Sequence, residues 1–227
     1  MRVSKTDPAP MSLDPVEVEA ALRALAQRCL SGGFAIGVRS LDPFYPTGEP
    51  MGRGRRAATF RGGRACAQAA LEALGGPPGP VERDLCGAPL WPAGFAGSIS
   101  HTDRVAAAIV ARSPPTGGVG LDLDTAEPVR EARAIEIICR PDELPPGADA
   151  LWAKRHFVIK EAVYKLYWPV ARTLLGFDDV RVTLDDTRET FTAALVNPEK
   201  PDFAGTRVMH GRVTQCAGLF VAVAALP

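Results

Sequence analysis

Two periods of apolar recurrence, near 3.6 residues and near 2, alternate along this chain and mark out its elements. In "DPVEVEAALRALAQRCLSGG" Val18, Leu22, Leu25 and Cys29 form one stripe at helical spacing, with Asp14 placed to cap, Pro15 at the first helical position and Gly32-Gly33 as the stop. Glu17, three residues after Asp14, completes a capping-box pattern. "FAIGVRS" reads as a strand, and a second helix is expected in "RRAATFRGGRACAQAALEALGG", from near Gly63 to Gly75-Gly76. The segments "AGSISHT" and "VAAAIVA" predict a hairpin. After the Pro- and Gly-rich "RSPPTGG" (112–118) come the strand "VGLDLD", helices between 131 and 168, and the strands "DVRVTL", "TFTAALV", "GRVTQ" and "GLFVAVAAL". This order predicts an α+β protein with a disordered tail over 1–12 and two similar α/β subdomains, 13–115 and 116–227.

One helical segment, "FVIKEAVYKLYWP" (157–169), departs from the amphipathic pattern. It is apolar nearly all round, yet it carries Lys160, Glu161 and Lys165, and Pro169 is expected to end it. Phe157, Glu161, Tyr164 and Trp168 share one stripe. Burying an unpaired ion costs several kcal/mol, so these charges need partners. A Glu161–Lys165 pair one turn apart, worth about 0.2–0.5 kcal/mol, with Lys160 stretched out to water, is one answer. A functional site is the other.

Composition narrows the classes. The 227 residues hold 26 Lys plus Arg and 26 Asp plus Glu, a balance that predicts neither nucleic acid nor an anionic membrane as partner. Five scattered cysteines without a CxxC pair argue against a disulfide framework or a zinc site and for a reducing cytosol. "MRVSKTDPAP" has no signal-peptide character, and "AGLFVAVAAL" is about half the length that a bilayer-spanning helix needs.

In "GGVGLDLD" the alternation puts Asp122 and Asp124 on one face of a strand, about 7 Å apart, opposite Val119, Leu121 and Leu123. Two carboxylates so placed can converge on a hard, oxygen-seeking cation such as Mg²⁺, or can be two solvated acids at a strand end. The neighbouring glycines would let a bulky ligand reach the backbone. Upstream, Arg53, Arg55, Arg56, Arg61 and Arg64 crowd twelve residues. Arginine forks suit phosphate, and the same charge fits a solvated loop or a nucleic-acid patch.

Taken together, Ser100-His101 after a strand, then "GLDLD", then "FVIKEAVYK" resemble the 4′-phosphopantetheinyl transferase family, whose marks are a G-x-D strand with a second acid two residues on and a [WF]-x-x-K-E-[AS]-x-x-K helix. The segments "RRAATFRGGRACAQAALEALG" and "GAPLWPAGFAGSISHT" resemble more narrowly its enterobactin synthase component D branch. The resemblance spans residues 30 to 200. It implies a pseudo-twofold α+β fold and transfer of the phosphopantetheine arm of coenzyme A to a serine of an apo carrier protein (acyl, peptidyl or aryl), releasing adenosine 3′,5′-bisphosphate. It also implies Asp122 and Asp124 as ligands of Mg²⁺, and Glu161 as a third ligand, as the base that takes the serine proton directly or through a metal-bound water, or as both. Lys160 and Lys165 would act on the phosphates; Arg56, Arg64, Ser100 and His101 would bind coenzyme A. One departure is Cys86, which precedes "GAPLWP" where many relatives carry Lys or Arg. The carrier would serve siderophore-type peptide or polyketide synthesis, and two halves in one chain suggest a monomer. Ile135, Ile137 and Ile138 are the expected carrier-docking cluster, or else plain core. A Mg²⁺-dependent phosphohydrolase or nucleotidyltransferase, and a non-catalytic module binding coenzyme A or a carrier, are the competing readings.

Overall fold

Asp14 caps the first helix, α1 (Pro15–Cys29), by accepting from the Val16 N–H at 2.9 Å, as the pattern predicts. Glu17 closes no capping box: its carboxylate accepts from Ala217 N at 2.9 Å and ties α1 to a turn far along the chain. The computed structural model describes residues 13–42, 51–112, 118–203 and 205–226, with the backbone alone for 51–53 and 132. The expected tail and most of "RSPPTGG" therefore lie outside the described residues.

A three-stranded antiparallel sheet, in the order β1-β3-β2, holds β1 (Phe34–Ser40), β2 (Phe95–His101) and β3 (Val105–Arg112), the last two being the expected hairpin. Helix α2 runs over Met51–Ala73, starting a dozen residues before Gly63. The arginines and glycines of its first half hide the apolar stripe; packing supplies it, for Ala58 is fully buried and Gly62 lies against Leu41. A five-stranded sheet follows, in the order β4-β8-β7-β6-β5, from β4 (Val119–Thr125), β5 (Val180–Leu184), β6 (Thr190–Leu195), β7 (Val208–Cys216) and β8 (Leu219–Ala225). Between β4 and β5 lie α3 (Ala132–Ile138) and the long α4 (Ala150–Ala171). The α+β class holds, with two unequal subdomains. No helix among the described residues is long and apolar enough to cross a membrane.

Each sheet has one helix on its outer face, α2 against β1 and β3 and α4 against the larger sheet. The inner faces meet around α1: Ile36, Ile109, Leu121 and Val223 pack with Val18 and Leu22 in one apolar cluster. Period-2 geometry then decides the site. Because Leu121 and Leu123 point into that cluster, Asp122 and Asp124 point to the other face of β4, under α4.

Pro169 does not end α4, which continues to Ala171 and stops at Arg172 in the left-handed conformation (φ 50°). A proline this near a helix end breaks only one ladder bond, and the last turn, with Pro169 and Val170 exposed, follows directly on the buried Leu166 and Tyr167. The face bearing Phe157, Glu161, Tyr164 and Trp168 is not core; it is half-exposed, while Ala153, Val158, Ile159, Ala162, Val163 and Leu166 are buried.

Candidate active site

Gly120 sets the distance between β4 and α4. A Cβ there would overlap the Ala162 carbonyl oxygen and come within 2.8 Å of Leu166 N. Gly37 does the same in the other subdomain, where a Cβ would overlap the Cys66 carbonyl oxygen. The glycine beside the aspartates therefore admits a helix, not a ligand. Contact at this range lays Glu161 and Lys165 over the acidic face of β4.

Lys165 Nζ stands 2.6 Å from Asp122 Oδ1 and 3.1 Å from Ser100 Oγ. Ser100 itself donates to Asp122 Oδ1 at 2.7 Å and accepts from Leu123 N at 3.3 Å, and Ser98 Oγ donates to Leu121 O at 3.3 Å. Two serines of β2 thus bridge the two sheets where no backbone ladder joins them. Lys165 is paired with Asp122 rather than with Glu161 one turn away. Glu161 makes no hydrogen bond or ion pair among the described residues. Burial, then the negative charge of Asp122, raises its proton affinity, and Lys165 only partly offsets this. Burial, with Lys165 behind it, lowers the proton affinity of His101, favouring the neutral imidazole at pH 7.

Lys154, which sequence reasoning missed, bonds Asp124 Oδ2 at 2.5 Å. It lies seven residues before Glu161, two helical turns along the same face, and that spacing was the available signal. Among the described residues no three His, Cys, Asp or Glu side chains stand ready to hold a metal ion. The donor chemistry nonetheless fits a hard divalent cation. Asp122, Asp124 and Glu161 line one cleft, and burial first, then the charge of Asp122, raises the proton affinity of Glu161, an ionisation cost that a cation would offset.

Lys160 is elsewhere, and its assignment to catalysis and to coenzyme A is corrected. Its ammonium donates to Glu143 Oε2 (2.7 Å), Ile138 O (2.9 Å) and Phe177 O (2.9 Å), so all three protons are used inside the protein. Glu143 is saturated too, accepting from Arg140 N at 2.7 Å and Val182 N at 2.5 Å. Position 160 is about 100° round the helix from 161, which turns this charge away from the cleft and into a buried tether.

Three clefts adjoin. A polar one of about 750 Å³ is lined by Ser100, His101, Asp122, Asp124, Glu161 and Lys165. An apolar one of about 500 Å³ lies between α4 and the 86–89 loop, with Cys86, Ile99, Tyr164, Trp168 and Leu174 around it and Lys165 at its edge. A basic one of about 250 Å³ has Arg56, Thr59, Phe60 and Arg64 on its wall together with His101. His101 is common to the polar and basic clefts, Lys165 to the polar and apolar ones, Gly87 and Pro89 to the basic and apolar ones, and Ile99 to all three, so the clefts meet around Ile99. Arg64 also donates to the carbonyls of Glu82 (3.2 Å) and Gly87 (3.4 Å), and its guanidinium lies 5.1 Å from the Phe60 ring centroid. Arg55 lines none of the three clefts and is paired with Asp103 at 3.0 Å, and the Arg53 side chain lies outside the described residues.

A model of the 4′-phosphopantetheinyl transferase N-terminal domain matches residues 53–111, and one of the 4′-phosphopantetheinyl transferase superfamily matches residues 118–215. The chain is 33% identical over 181 residues to the 4′-phosphopantetheinyl transferase Svp of Streptomyces mobaraensis, covering 76% of this chain and 73% of that protein. It is 33% identical over 172 residues to the 4′-phosphopantetheinyl transferase Npt of Nocardia iowensis (68% and 74% covered). With the 4′-phosphopantetheinyl transferase PptT of Mycobacterium tuberculosis it shares 32% identity over 138 residues (59% and 61% covered).

Proposed function

This chain belongs to the 4′-phosphopantetheinyl transferase superfamily, and on that premise we propose that its three adjoining clefts divide the parts of coenzyme A among them. The basic cleft takes the 3′-phosphate, the polar cleft the pyrophosphate, and the apolar cleft the pantetheine arm. The observation that carries this reading is that the polar cleft shares His101 with the basic cleft and Lys165 with the apolar one. A metal-dependent phosphohydrolase using the same aspartates would leave the apolar and basic clefts without use.

The reaction joins the serine oxygen of an apo carrier protein to the β-phosphorus of coenzyme A and breaks that phosphorus's bond to the bridging oxygen, so that adenosine 3′,5′-bisphosphate leaves. Glu161, half-buried and unpaired, takes the serine proton. Lys165 donates to the phosphate oxygens on which charge accumulates, and neutral His101 adds a hydrogen bond without a charge. Asp122, Asp124 and Glu161 would hold Mg²⁺, which when bound neutralises the pyrophosphate and the departing phosphate. Weighing an apo carrier by mass spectrometry after incubation with coenzyme A and Mg²⁺ tests the reading; an unchanged mass would overturn it.

Arg56, which makes no side-chain bond or ion pair among the described residues, is the cleaner probe of the basic cleft, since Arg64 also holds the 82–87 loop. Arg56→Ala is expected to lower kcat/KM for coenzyme A by about one to two orders of magnitude, the usual range for a charged hydrogen bond. The same change should matter little with 3′-dephospho-coenzyme A, and equal losses on both substrates would remove Arg56 from the site.

The carrier protein docks, in this reading, on α3. Ile137 is 54% exposed there, whereas Ile138 is buried and Ile135 partly so, which splits the expected isoleucine cluster between surface and core. Ile137→Asp is expected to fold normally and to raise KM for the carrier about tenfold, leaving KM for coenzyme A unchanged. Unfolding, or equal changes in both constants, would refute it. The narrower sequence resemblance supports a peptidyl or aryl carrier of siderophore-type synthesis, and side-by-side charging of acyl, peptidyl and aryl carriers decides among them. That all three clefts are lined by one chain supports a monomer, and the unpaired cysteines support a cytoplasmic setting.

A further inference from the structure

Two ammonium groups already neutralise two of the acids of the polar cleft, Asp122 and Asp124. Lys165 holds Asp122 Oδ1 at 2.6 Å and Lys154 holds Asp124 Oδ2 at 2.5 Å, while Asp124 Oδ1 accepts from Thr125 N at 2.7 Å. Both aspartates are therefore satisfied without an ion, and a divalent cation entering the cleft meets two fixed positive charges within a few ångströms of its ligands. The two lysines are not equivalent. Lys165 lines the polar and apolar clefts and can follow a phosphate, whereas Lys154 lines none of the three; it lies behind Asp124 with its ammonium 5.5 Å from the Phe157 ring centroid.

We propose that Lys154 and Lys165 are built-in counter-ions that make divalent-cation binding at Asp122 and Asp124 depend on coenzyme A. The pyrophosphate draws Lys165 off Asp122 and frees that carboxylate for the ion; Lys154 stays, and keeps the hold on Asp124 weak enough for release after turnover. This rests on the transferase reading and on the ion assignment above. Linkage makes the effect reciprocal: coenzyme A must strengthen ion binding by the same factor by which the ion strengthens coenzyme A binding.

Mn²⁺ serves as the probe, its affinity for the full-length chain read by electron paramagnetic resonance with and without coenzyme A. Wild-type protein is expected to bind Mn²⁺ at least tenfold more tightly when coenzyme A is present. Lys154→Met, which keeps the packing on Phe157, should strengthen Mn²⁺ binding without coenzyme A by about tenfold and retain the coenzyme A effect. Lys154→Gln, which can still bond Asp124 without a charge, should do the same. Lys165→Met should strengthen binding of the ion alone and reduce the coupling to what direct attraction between the ion and the pyrophosphate supplies. Unchanged or weaker Mn²⁺ binding in both Lys154 variants, or tight binding to wild-type protein without coenzyme A, overturns the proposal. Failure of every variant to bind Mn²⁺ even with coenzyme A bound would instead overturn the ion assignment, and failure to bind coenzyme A at all would overturn the transferase reading.

Discussion

Glu161→Gln is expected to reduce phosphopantetheinyl transfer by about 10³-fold while the protein becomes no less stable, and without metal becomes more so. The activity loss follows from removing a proton acceptor, itself worth about 10²–10⁴-fold, together with a ligand of the ion. Stability moves the other way because Glu161 has no protein partner among the described residues to lose, and its charge is opposed by burial and by Asp122. The folded-state proton affinity of Glu161 is raised, so ionisation destabilises the folded state; the gain from Gln is full above the raised value and vanishes as pH falls to the ordinary carboxylate range. Thermal unfolding in chelator at pH 7 and pH 4 checks the sign. Asp122→Asn makes the contrast. It too should lose transfer, but it breaks the ion pair with Lys165 and leaves Ser100 with a weaker acceptor, so its melting temperature should fall. Activity within a few-fold of wild type in Glu161→Gln would remove that residue from catalysis.

Gly120→Ala should have the largest effect on the fold, a loss of about 3 kcal/mol or more, at or beyond the upper end of the usual cost of overpacking. The obstacle to the new methyl group is the backbone of α4 at Ala162 and Leu166, which cannot rotate away as a side chain can. If α4 is pushed off β4, Lys165 leaves Asp122, so activity should fall together with stability. Gly33→Ala is the control: a Cβ there meets nothing within 4 Å. Urea unfolding followed by circular dichroism measures both, and a wild-type midpoint for Gly120→Ala would refute the packing argument.

Local physics made much of this protein legible from its residues alone. Alternation along "VGLDLD" placed both aspartates on one face, because a strand has a side-chain period of two whatever it packs against. Asp14 and Pro15 announced α1, since the groups that end a helix are satisfied within a few residues. The motif order pointed to the family that the relatives carry. Where long-range packing chooses, the pattern was silent. A helix apolar nearly all round does not say which of its charges faces the chemistry. The fold turned Lys165 to Asp122 and Lys160 to Glu143, a residue seventeen positions earlier that no spacing rule connects to it. Lys154 became the partner of Asp124 only when α4 settled on β4, and Gly120 acquired its purpose only from the helix that presses against it. Period determines which side chains share a face; what that face meets is determined by contacts between segments far apart in the chain, and those exist only once the chain has folded.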